Sequence, residues 1–275
     1  MYPCLNPGNI GISLDWQSCL PLAKDYGFKG IDVPIDPQAP ASLYREALAQ
    51  YGLLPGGMGL PFHVLDSDAK VEEGLKALPA ICKTAQEIGQ TRFYTWILSF
   101  SEEMPWKENF RFHASRLGRA AQIMQGYGCS LALEFLGPRS LREGRRYSFV
   151  HTAEEMLELC EAVGSNTGLL LDAYHWYTSL GTVEEVLNLT NKQVVYVHVN
   201  DAPAGVPIER QQDQVRTLPG ETGTIDLAGF MKALKTIGYD GPVVAEPFDP
   251  SLAKMAPAEA ARKVGAAMRS IWPGE

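Results

Sequence analysis

Four apolar segments in the second half of the chain each close on a side chain that can bind a metal ion. They are the segments ending at Glu134, Asp172, His198 and Glu246. The run from Leu169 to Leu171 is continuous rather than alternating, which is typical of a parallel strand covered on both faces. An ionised carboxylate at the end of such a strand must be paired or bind a cation, because removing its charge from water is costly.

The residue types in this set predict the kind of ion. Three carboxylates and one imidazole offer hard oxygen ligands with one nitrogen, which suits Mn²⁺, Mg²⁺ or Co²⁺ and also allows Zn²⁺. The set lacks sulfur ligands, which argues against a purely structural zinc site. Each residue alone could instead cap a helix or belong to the core, but the recurrence in four segments favours one divalent metal site.

A barrel of alternating strands and helices would bring these four positions together. The chain shows eight strand-then-helix units with mostly short connections, and such alternation is typical of a parallel sheet. Predicted strands lie at 9–14, 30–35, within 53–64, at 92–98, 130–135, 194–200 and 242–247, with another ending at Asp172. Predicted helices lie at 17–26, 41–51, 68–88, 106–127, 152–163, 183–189, 227–237 and 258–271. The third helix is expected to be interrupted or kinked at Pro79. Because strand ends in a (β/α)8 barrel point towards one centre, the metal site is expected at the C-terminal ends of strands 5 to 8.

Length, charge and cysteine content narrow the class of protein. A chain of 275 residues suits one barrel domain spanning residues 1–275. The net charge of −8 argues against a nucleic-acid partner, because phosphate binding needs clustered Lys and Arg. No apolar run reaches membrane-spanning length, and the start lacks a leader pattern. The five cysteines are odd in number and include no Cys-x-x-Cys pair. These features predict a cytoplasmic protein with reduced thiols and no membrane partner.

Motifs in the second half of the chain resemble those of the xylose isomerase-like barrel superfamily. That superfamily includes sugar isomerases and epimerases, inosose isomerases and dehydratases, and the endonuclease IV type of DNA-repair enzyme. The motifs are Leu-Glu-Phe at 133–135, Leu-Asp-Ala-Tyr-His at 171–175, His-Val-Asn-Asp at 198–201, Pro-Gly-Glu-Thr-Gly-Thr-Ile-Asp at 219–226 and Ala-Glu-Pro at 245–247. The resemblance implies a single-domain α/β fold, a (β/α)8 TIM barrel, in which the four segment-closing residues bind one divalent metal ion.

The resemblance also implies a reaction on a keto sugar or inosose through a cis-enediolate. Glu134 and Glu246 would move a proton next to the ketone as an acid/base pair, in addition to binding the metal. His175 and Arg216 would contact substrate oxygens. A lyase or dehydratase of a keto-cyclitol or 3-keto-glycoside would need the same metal site, because β-elimination starts from the same enolate. The sequence therefore predicts an isomerase or epimerase, with the lyase as the alternative.

Aromatic side chains and a group of arginines are candidates for the rest of a substrate pocket. The aromatic candidates for its apolar wall are Trp16, Phe62, His63, Trp96, Trp106 and Trp176, although each could be ordinary core. Among them, His63, Trp96 and Trp176 are the predicted substrate contacts. The loop after the Glu134 strand carries Arg139, Arg142, Arg145 and Arg146. These arginines could grip a phosphate or carboxylate group or remain solvated, and both interpretations stay open here.

Two other functions fit the sequence less well. The DNA-repair branch assembles three zinc ions and needs further histidines, whereas this chain has five His residues and none in the loop before Asp226. A catalytically inactive barrel that serves as a binding module would need vestigial metal ligands. The predicted partner is a small carbohydrate rather than a nucleic acid, and homo-oligomer formation is left open.

Overall fold

The structure is a computed structural model that describes residues 1–274 and contains eleven strand segments. They are β1 (Tyr2–Leu5), β2 (Gly30–Ile31), β3 (Leu54–Pro55), β4 (Gly57–Gly59), β5 (Arg92–Ile97), β6 (Phe100–Ser101), β7 (Ser130–Phe135), β8 (Tyr147–Ser148), β9 (Thr167–Asp172), β10 (Val194–Val199) and β11 (Pro242–Ala245). Nine of them form one sheet in the order β3-β2-β1-β11-β10-β9-β7-β5-β4, while β6 and β8 form a separate antiparallel pair.

The large sheet is parallel and closes on itself. Its two end segments, β3 and β4, are successive pieces of one strand separated by Gly56. A Cβ atom at Gly56 would collide with Oδ1 of Asp32, so only glycine lets the chain pass this side chain. With β3 and β4 counted as one strand, the nine segments make eight strands. The predicted TIM-barrel fold is confirmed.

The longer helices surround the barrel, whereas the short helices Arg139–Arg142 and Ala173–Thr178 follow strand ends at the mouth. In chain order the helices are α1 (Trp16–Asp25), α2 (Ala41–Tyr51), α3 (Asp68–Ile88), α4 (Trp106–Gln125), α5 (Arg139–Arg142), α6 (Ala153–Val163), α7 (Ala173–Thr178), α8 (Val183–Leu187), α9 (Leu227–Thr236) and α10 (Pro257–Ser270). The larger hydrophobic core lies between helices and strands. Across residues 1–274, none of these helices combines the length and the apolar character needed to span a membrane.

The first predicted strand is wrong. The strand is Tyr2–Leu5, whereas residues 9–14 contain the end of a short 3-10 helix at Gly8–Ile10 and an irregular segment. β1 is four residues long and contains Pro3, so neither alternation nor strand propensity marks it. Its strand conformation depends on β11 and β2, which pair with it on either side.

Two further predictions, one of a strand and one of a helix, need correction. The second strand ends at Ile31 rather than at residue 35, because the backbone N–H of Val33 is bound by the side chain of Gln90 instead of a neighbouring strand. The predicted interruption of the third helix is wrong, because this helix continues through Pro79 from Asp68 to Ile88. The alternative, a kink at Pro79, stays a prediction. The other predicted helices match the structure to within two residues at each end.

A second, smaller core lies inside the barrel beneath the predicted metal ligands. Its members include Ala132, Leu170, Tyr196 and Val244. Each of these residues comes two positions before one of the predicted ligands. Because side chains two apart in a strand point to the same face, the ligands stand directly above this core, at the mouth of the barrel.

Candidate metal centre

The four predicted ligands converge at the C-terminal mouth of the barrel, on β7, β9, β10 and the residue after β11. Each offers one ligand atom, and these four atoms lie within 4.8 Å of one another. Nδ1 of His198 lies 3.4 Å from Oε1 of Glu134 and 3.4 Å from Oε2 of Glu246. The same nitrogen lies 3.9 Å from Oδ2 of Asp172. One cation could contact all four side chains at this position.

Burial makes the charge of this cluster costly without a cation. The side chain of Asp172 is 0% exposed, and the most exposed of the four, Glu246, is 13% exposed. Burial raises the pKa of Glu134 to about 7. Burial by itself would lower the pKa of His198, but the charges of Glu246 and Glu134 hold that pKa well above its usual range. Three acids around one imidazole therefore carry an excess of negative charge that a divalent cation would balance.

Arg216 supplies a second positive charge beside the cluster. Its Nη1 lies 3.0 Å from Oδ2 of Asp172 and 3.0 Å from Oε2 of Glu246. Its Nη2 donates to Oδ1 of Asp213 at 2.8 Å. Burial works against the charged form, but the carboxylates, led by Asp172, outweigh burial and raise the pKa of Arg216. The guanidinium is therefore a permanent cation next to two of the metal ligands.

Two aromatic rings enclose the guanidinium of Arg216. Its Cζ lies 4.8 Å from the ring centroid of Tyr174 and 4.4 Å from that of Phe248. Phe248 has a backbone φ of 43°, in the left-handed region that non-glycine residues rarely adopt. The site thus holds Arg216 by stacking as well as by ion pairs.

His175 lies beside Arg216 and is uncharged. Its Nδ1 is 3.2 Å from the backbone nitrogen of Gly137, and its Nε2 is 3.0 Å from Nη2 of Arg216. Burial, reinforced by the charge of Arg216, lowers the pKa of His175 to about 3. A neutral imidazole has one lone pair, so His175 accepts a hydrogen bond from only one of these two donors. Its Nε2 also lies 4.0 Å from Oε1 of Glu134, which places the ring at the edge of the cluster.

The aromatic candidates divide between the mouth of the barrel and the helical layer. Trp96 is 44% exposed and packs on His63 at 4.1 Å between ring centroids. It follows Tyr94 by two residues in β5 and therefore faces the same side, towards the mouth. Trp176 instead packs on Phe230 of α9, at 5.1 Å. In the same helix His175 lies at the cluster, and Trp176 points in a different direction because neighbouring residues of a helix diverge. A contact between Trp176 and substrate stays a prediction.

The remaining aromatic candidates lie farther from the cluster. Trp106 stacks on Phe110 in α4, and Phe62 is buried among core residues. Trp16 borders a cavity of about 320 Å³ at the mouth, on the side of β1, β2 and β4. Tyr94 and Asp32 also line this cavity, so the barrel mouth is hollow on this side.

Asp32 is a buried carboxylate at the mouth that the sequence patterns did not single out. It accepts hydrogen bonds from Oη of Tyr196 at 2.6 Å, from Nδ2 of Asn6 at 2.9 Å and from the backbone nitrogen of Gly57 at 2.7 Å. Burial raises its pKa. A signal was nevertheless available, because Asp32 directly follows the apolar strand β2. The four predicted metal ligands were recognised from the same position at the end of an apolar strand.

Asn200 and Asp213 are further site residues that were missed. Nδ2 of Asn200 donates to Oδ2 of Asp172 at 2.9 Å and lies 3.3 Å from the carbonyl oxygen of Glu246. Asn200 belongs to the His-Val-Asn-Asp motif, so that motif was the available signal. Asp213, the partner of Arg216, lies in an irregular loop whose sequence has no periodicity that could have marked it.

The four rim arginines have partners within the protein. These are Glu143 for Arg139 at 3.8 Å, the Gly137 carbonyl for Arg142 at 2.8 Å, Glu102 for Arg145 at 3.2 Å and the ring of Tyr147 for Arg146 at 5.0 Å. Their contacts therefore organise the loop after β7 rather than leave a preformed cluster of free cations.

Comparison with known sequences shows a family match and similarity to several named enzymes. The sequence model of the xylose isomerase-like TIM barrel family matches residues 20–271. The inosose isomerase of Bacillus velezensis is 24% identical over 265 residues, which cover 93% of this chain and 91% of that protein. The ketose 3-epimerase of Arthrobacter globiformis is 27% identical over 90% of this chain and 82% of its own. A shorter match at 31% identity joins 42% of this chain to 18% of the 3-dehydroshikimate dehydratase of Pseudomonas aeruginosa.

Solved structures share the architecture over the whole chain. A xylose isomerase domain protein from Alicyclobacillus acidocaldarius superposes with a TM-score of 0.85 at 28% identity, covering 98% of this chain and 97% of the other. The IolI protein, solved with a bound zinc atom, superposes with a TM-score of 0.80 over 98% of both chains. Its identity is 22%, so this second likeness concerns the fold alone.

Proposed function

The chain belongs to the xylose isomerase-like TIM barrel family, and from this premise we propose that it is a divalent-metal-dependent isomerase or epimerase of a keto sugar or inosose. The observation that carries the proposal is the buried cluster of three carboxylates and one imidazole, whose ligand atoms lie within 4.8 Å of one another. An inosose isomerase and a ketose 3-epimerase align with at least 90% of the chain. These relatives support the reaction class and leave the substrate to experiment.

The donor set fits one divalent cation. Glu134, Asp172, His198 and Glu246 would hold it, and their mixture of oxygen and nitrogen suits Mn²⁺, Mg²⁺, Co²⁺ or Zn²⁺. The IolI protein, which has the same fold, was solved with a bound zinc atom, and this likeness supports a divalent cation in the present chain. When bound, the cation would polarise a substrate carbonyl as a Lewis acid.

Glu134 and Glu246 are the proposed acid/base pair. They stand on β7 and after β11, at opposite ends of the arc β11-β10-β9-β7, so they approach a molecule in the mouth from different sides. In the metal-free protein burial raises the pKa of Glu134 to about 7, and a bound cation would lower this pKa, so the carboxylate would be in the deprotonated form that a general base needs near neutral pH. One carboxylate removes the proton next to the carbonyl, and the other returns a proton. Return to the same carbon gives an epimer, and return to the neighbouring carbon gives an isomer.

Arg216 is proposed to stabilise negative charge that develops on a substrate oxygen. Its positive charge is fixed between Asp172 and Glu246 before substrate arrives, so it would act electrostatically from its present position. A direct hydrogen bond to substrate would require one N–H group to leave its present carboxylate partner. His175 is proposed as an uncharged hydrogen-bonding neighbour of the same oxygen. Its lowered pKa, about 3, means that it does not compete with the two glutamates for protons.

The charge distribution at the mouth favours an uncharged substrate over a phosphorylated one. The carboxylates of this region belong to Asp32, Glu134, Asp172, Asp213 and Glu246. The buried cation of the loop, Arg216, is already paired with three of them. Even with a divalent cation bound, these five carboxylates carry more charge than the cation and Arg216 together, so a phosphate dianion next to them would meet more negative than positive charge.

A lyase is the second candidate function. The match to a 3-dehydroshikimate dehydratase covers 42% of the chain, which favours this alternative specifically. The same pair of carboxylates could remove the proton next to a ketone and then protonate a leaving hydroxyl or alkoxyl group. The products distinguish the two functions, because elimination releases water or an aglycone.

The decisive experiment measures deuterium uptake from heavy water. Metal-stripped protein is reloaded with Mn²⁺, Mg²⁺, Co²⁺ or Zn²⁺ and incubated with ketoses, 2-keto-inositol, 3-keto-glucosides and the corresponding phosphates. We expect metal-dependent labelling of an unphosphorylated substrate without loss of water or aglycone, detected by NMR and mass spectrometry. Elimination products would establish the lyase instead. Protein that takes up no metal and labels no compound would refute the proposal.

A further inference from the structure

We propose that Asp201 is a positioning residue for Arg216. The inference rests on the proposed function, because Arg216 affects turnover only if the reaction takes place at this cluster. Asp201 comes directly after Asn200, beyond the end of β10, and is 0% exposed. Among the described residues, no hydrogen bond or ion pair joins its side chain to the proposed metal ligands. Its buried charge is instead stabilised by backbone N–H groups.

The carboxylate of Asp201 binds four backbone N–H groups of the loop that carries Arg216. Oδ1 accepts from Ala202 at 2.9 Å and from Ile225 at 3.0 Å. Oδ2 accepts from Thr222 at 3.0 Å and from Gly223 at 2.8 Å. All four donors belong to the segment 202–225, so the side chain ties the beginning of this loop to its end. Hydrogen bonds to a charged acceptor are stronger than neutral ones, and here they are shielded from water.

The backbone of Asp201 fixes the loop next to Arg216 itself. The nitrogen of Asp201 donates to the carbonyl of Thr217 at 3.0 Å, and the nitrogen of Thr217 donates back at 2.9 Å. Thr217 is the residue after Arg216. Side chain and backbone of Asp201 together therefore hold the chain on the C-terminal side of Arg216, while Asp213 holds the guanidinium on the N-terminal side through Nε and Nη2.

Only a carboxylate satisfies this arrangement. Its two oxygens offer about four acceptor sites, which match the four N–H groups. The amide of asparagine has one oxygen and one NH₂ group, so two of the N–H groups would face a donor. We therefore expect Asp201→Asn to release the loop at 222–225 and to displace Arg216 without disturbing the strands that carry the metal ligands.

The experiment combines Asp201→Asn with Arg216→Gln in a double-mutant cycle, using the metal-loaded protein and its best substrate. We expect Asp201→Asn alone to lower kcat/KM by about 10- to 100-fold, with metal affinity within about threefold of the parent. In the Arg216→Gln background the same change should lower kcat/KM by less than about threefold, because the group it positions is gone. Asp201→Ser leaves room for water at the four N–H groups, and we expect it to change kcat/KM as Asp201→Asn does in both backgrounds. It replaces Asp201→Asn in the experiment if the Asn variant does not fold.

Asp226→Asn is the matched control. Asp226 also accepts a backbone N–H, from Gly229 at 2.9 Å, but it does so at the exposed start of α9. We expect kcat/KM within about twofold of the parent for this variant, because asparagine caps a helix nearly as well as aspartate. An equal loss from Asp201→Asn in the parent and in the Arg216→Gln background would overturn the inference.

A readout without substrate separates this inference from the proposed function. Hydrogen exchange of the amides of 222, 223 and 225 should be slow in the parent and fast in Asp201→Asn. The side-chain Nε–H resonance of Arg216, assigned by its loss in Arg216→Gln, should shift in Asp201→Asn and stay unchanged in Asp226→Asn. An unchanged resonance in Asp201→Asn would refute the positioning role even in an active enzyme. If no compound is turned over but both signals change, the proposed reaction fails and the positioning of Arg216 stands.

Discussion

Asp172 and Asp32 are buried aspartates at the same mouth of the barrel, on opposite halves. Asp172, at the end of β9, lies 3.0 Å from Nη1 of Arg216 and 3.9 Å from Nδ1 of His198. Asp32, after β2, has neutral donors as its partners, with Oη of Tyr196 nearest at 2.6 Å. One carboxylate therefore belongs to a group of interacting charges, and the other belongs to a closed set of neutral hydrogen bonds.

The difference shows that a strand-end carboxylate is not by itself a metal ligand. Around Asp32 each acceptor site meets a hydroxyl, amide or backbone N–H group, so the region needs no cation. Around Asp172 two further carboxylates crowd a single imidazole, and their charge calls for one. The number of acids that converge on a point, rather than the strand-end position, is therefore what supports the proposed metal site in one half.

The largest effect on turnover is expected in the ligand half of the mouth, which carries Glu134, Asp172, His198 and Glu246. Glu246→Gln should lower kcat by at least about 10³-fold, since it removes a general acid/base group and weakens a metal ligand together. Substrate should still bind, because the other proposed contacts, His175 and Arg216, remain. Steady-state kinetics and substrate titration of the metal-loaded variant test this. Glu134→Gln should behave alike, and turnover near the parent level in either variant would reject the acid/base assignment.

Metal affinity should depend strongly on pH, and only through the ligand half. The pKa of Glu134 is raised to about 7 by burial, and the pKa of His198 is raised by its carboxylate neighbours. Both groups must lose a proton to bind metal, so affinity should rise with pH, by roughly tenfold or more per unit between about pH 6 and 8. Calorimetry at several pH values, in buffers of different ionisation enthalpy, measures the released protons. Asp32→Asn should leave this slope unchanged, and a flat profile would contradict the charge balance described for the cluster.

Asp32→Asn should change stability rather than metal binding. Its amide would place a donor against the donors that now surround the carboxylate, at a cost of about 1–3 kcal/mol in the free energy of unfolding. Metal affinity should remain within about threefold of the parent. Chemical denaturation measures the loss of stability, and metal titration of the same preparation measures the metal affinity. A large loss of metal affinity with unchanged stability would show that Asp32 belongs to the metal site.

The smallest effect is expected from Trp176→Phe. Its indole N–H donates to the carbonyl of Thr182 at 3.2 Å, and the ring packs on Phe230 in the helical layer. The variant should lose about 1 kcal/mol of stability and keep kcat/KM within about twofold. Denaturation curves and kinetics of the metal-loaded protein decide this. A large rise in KM would support the prediction that Trp176 contacts substrate.

Sequence patterns predicted the long elements well and the short ones poorly. β7, whose six residues were predicted without error, pairs along its length with β5 and β9 and carries an apolar run that marks it. β1 and β2 have four and two residues, and their position depends on neighbours that are distant in the chain. Local propensity cannot encode a strand whose stability comes from pairing on both sides.

The candidate site shows the same division. The four ligands were predictable because each closes an apolar strand and belongs to a motif. Asp213 was not, because an irregular loop has no period that could place it beside Arg216. Trp176 was predicted as a substrate contact because it stands next to His175 in sequence, and its packing on Phe230 of α9 is a contact that the sequence did not reveal.

The amino-acid sequence alone determined the barrel class and the four residue types able to hold a cation, because buried parallel strands have a recognisable apolar run and hard ligands have a recognisable chemistry. The tertiary structure alone decided which charged groups compensate one another. Charge compensation depends on distances of a few ångströms between residues that are far apart in the chain, such as Asp172 and Arg216, and such distances exist only after folding.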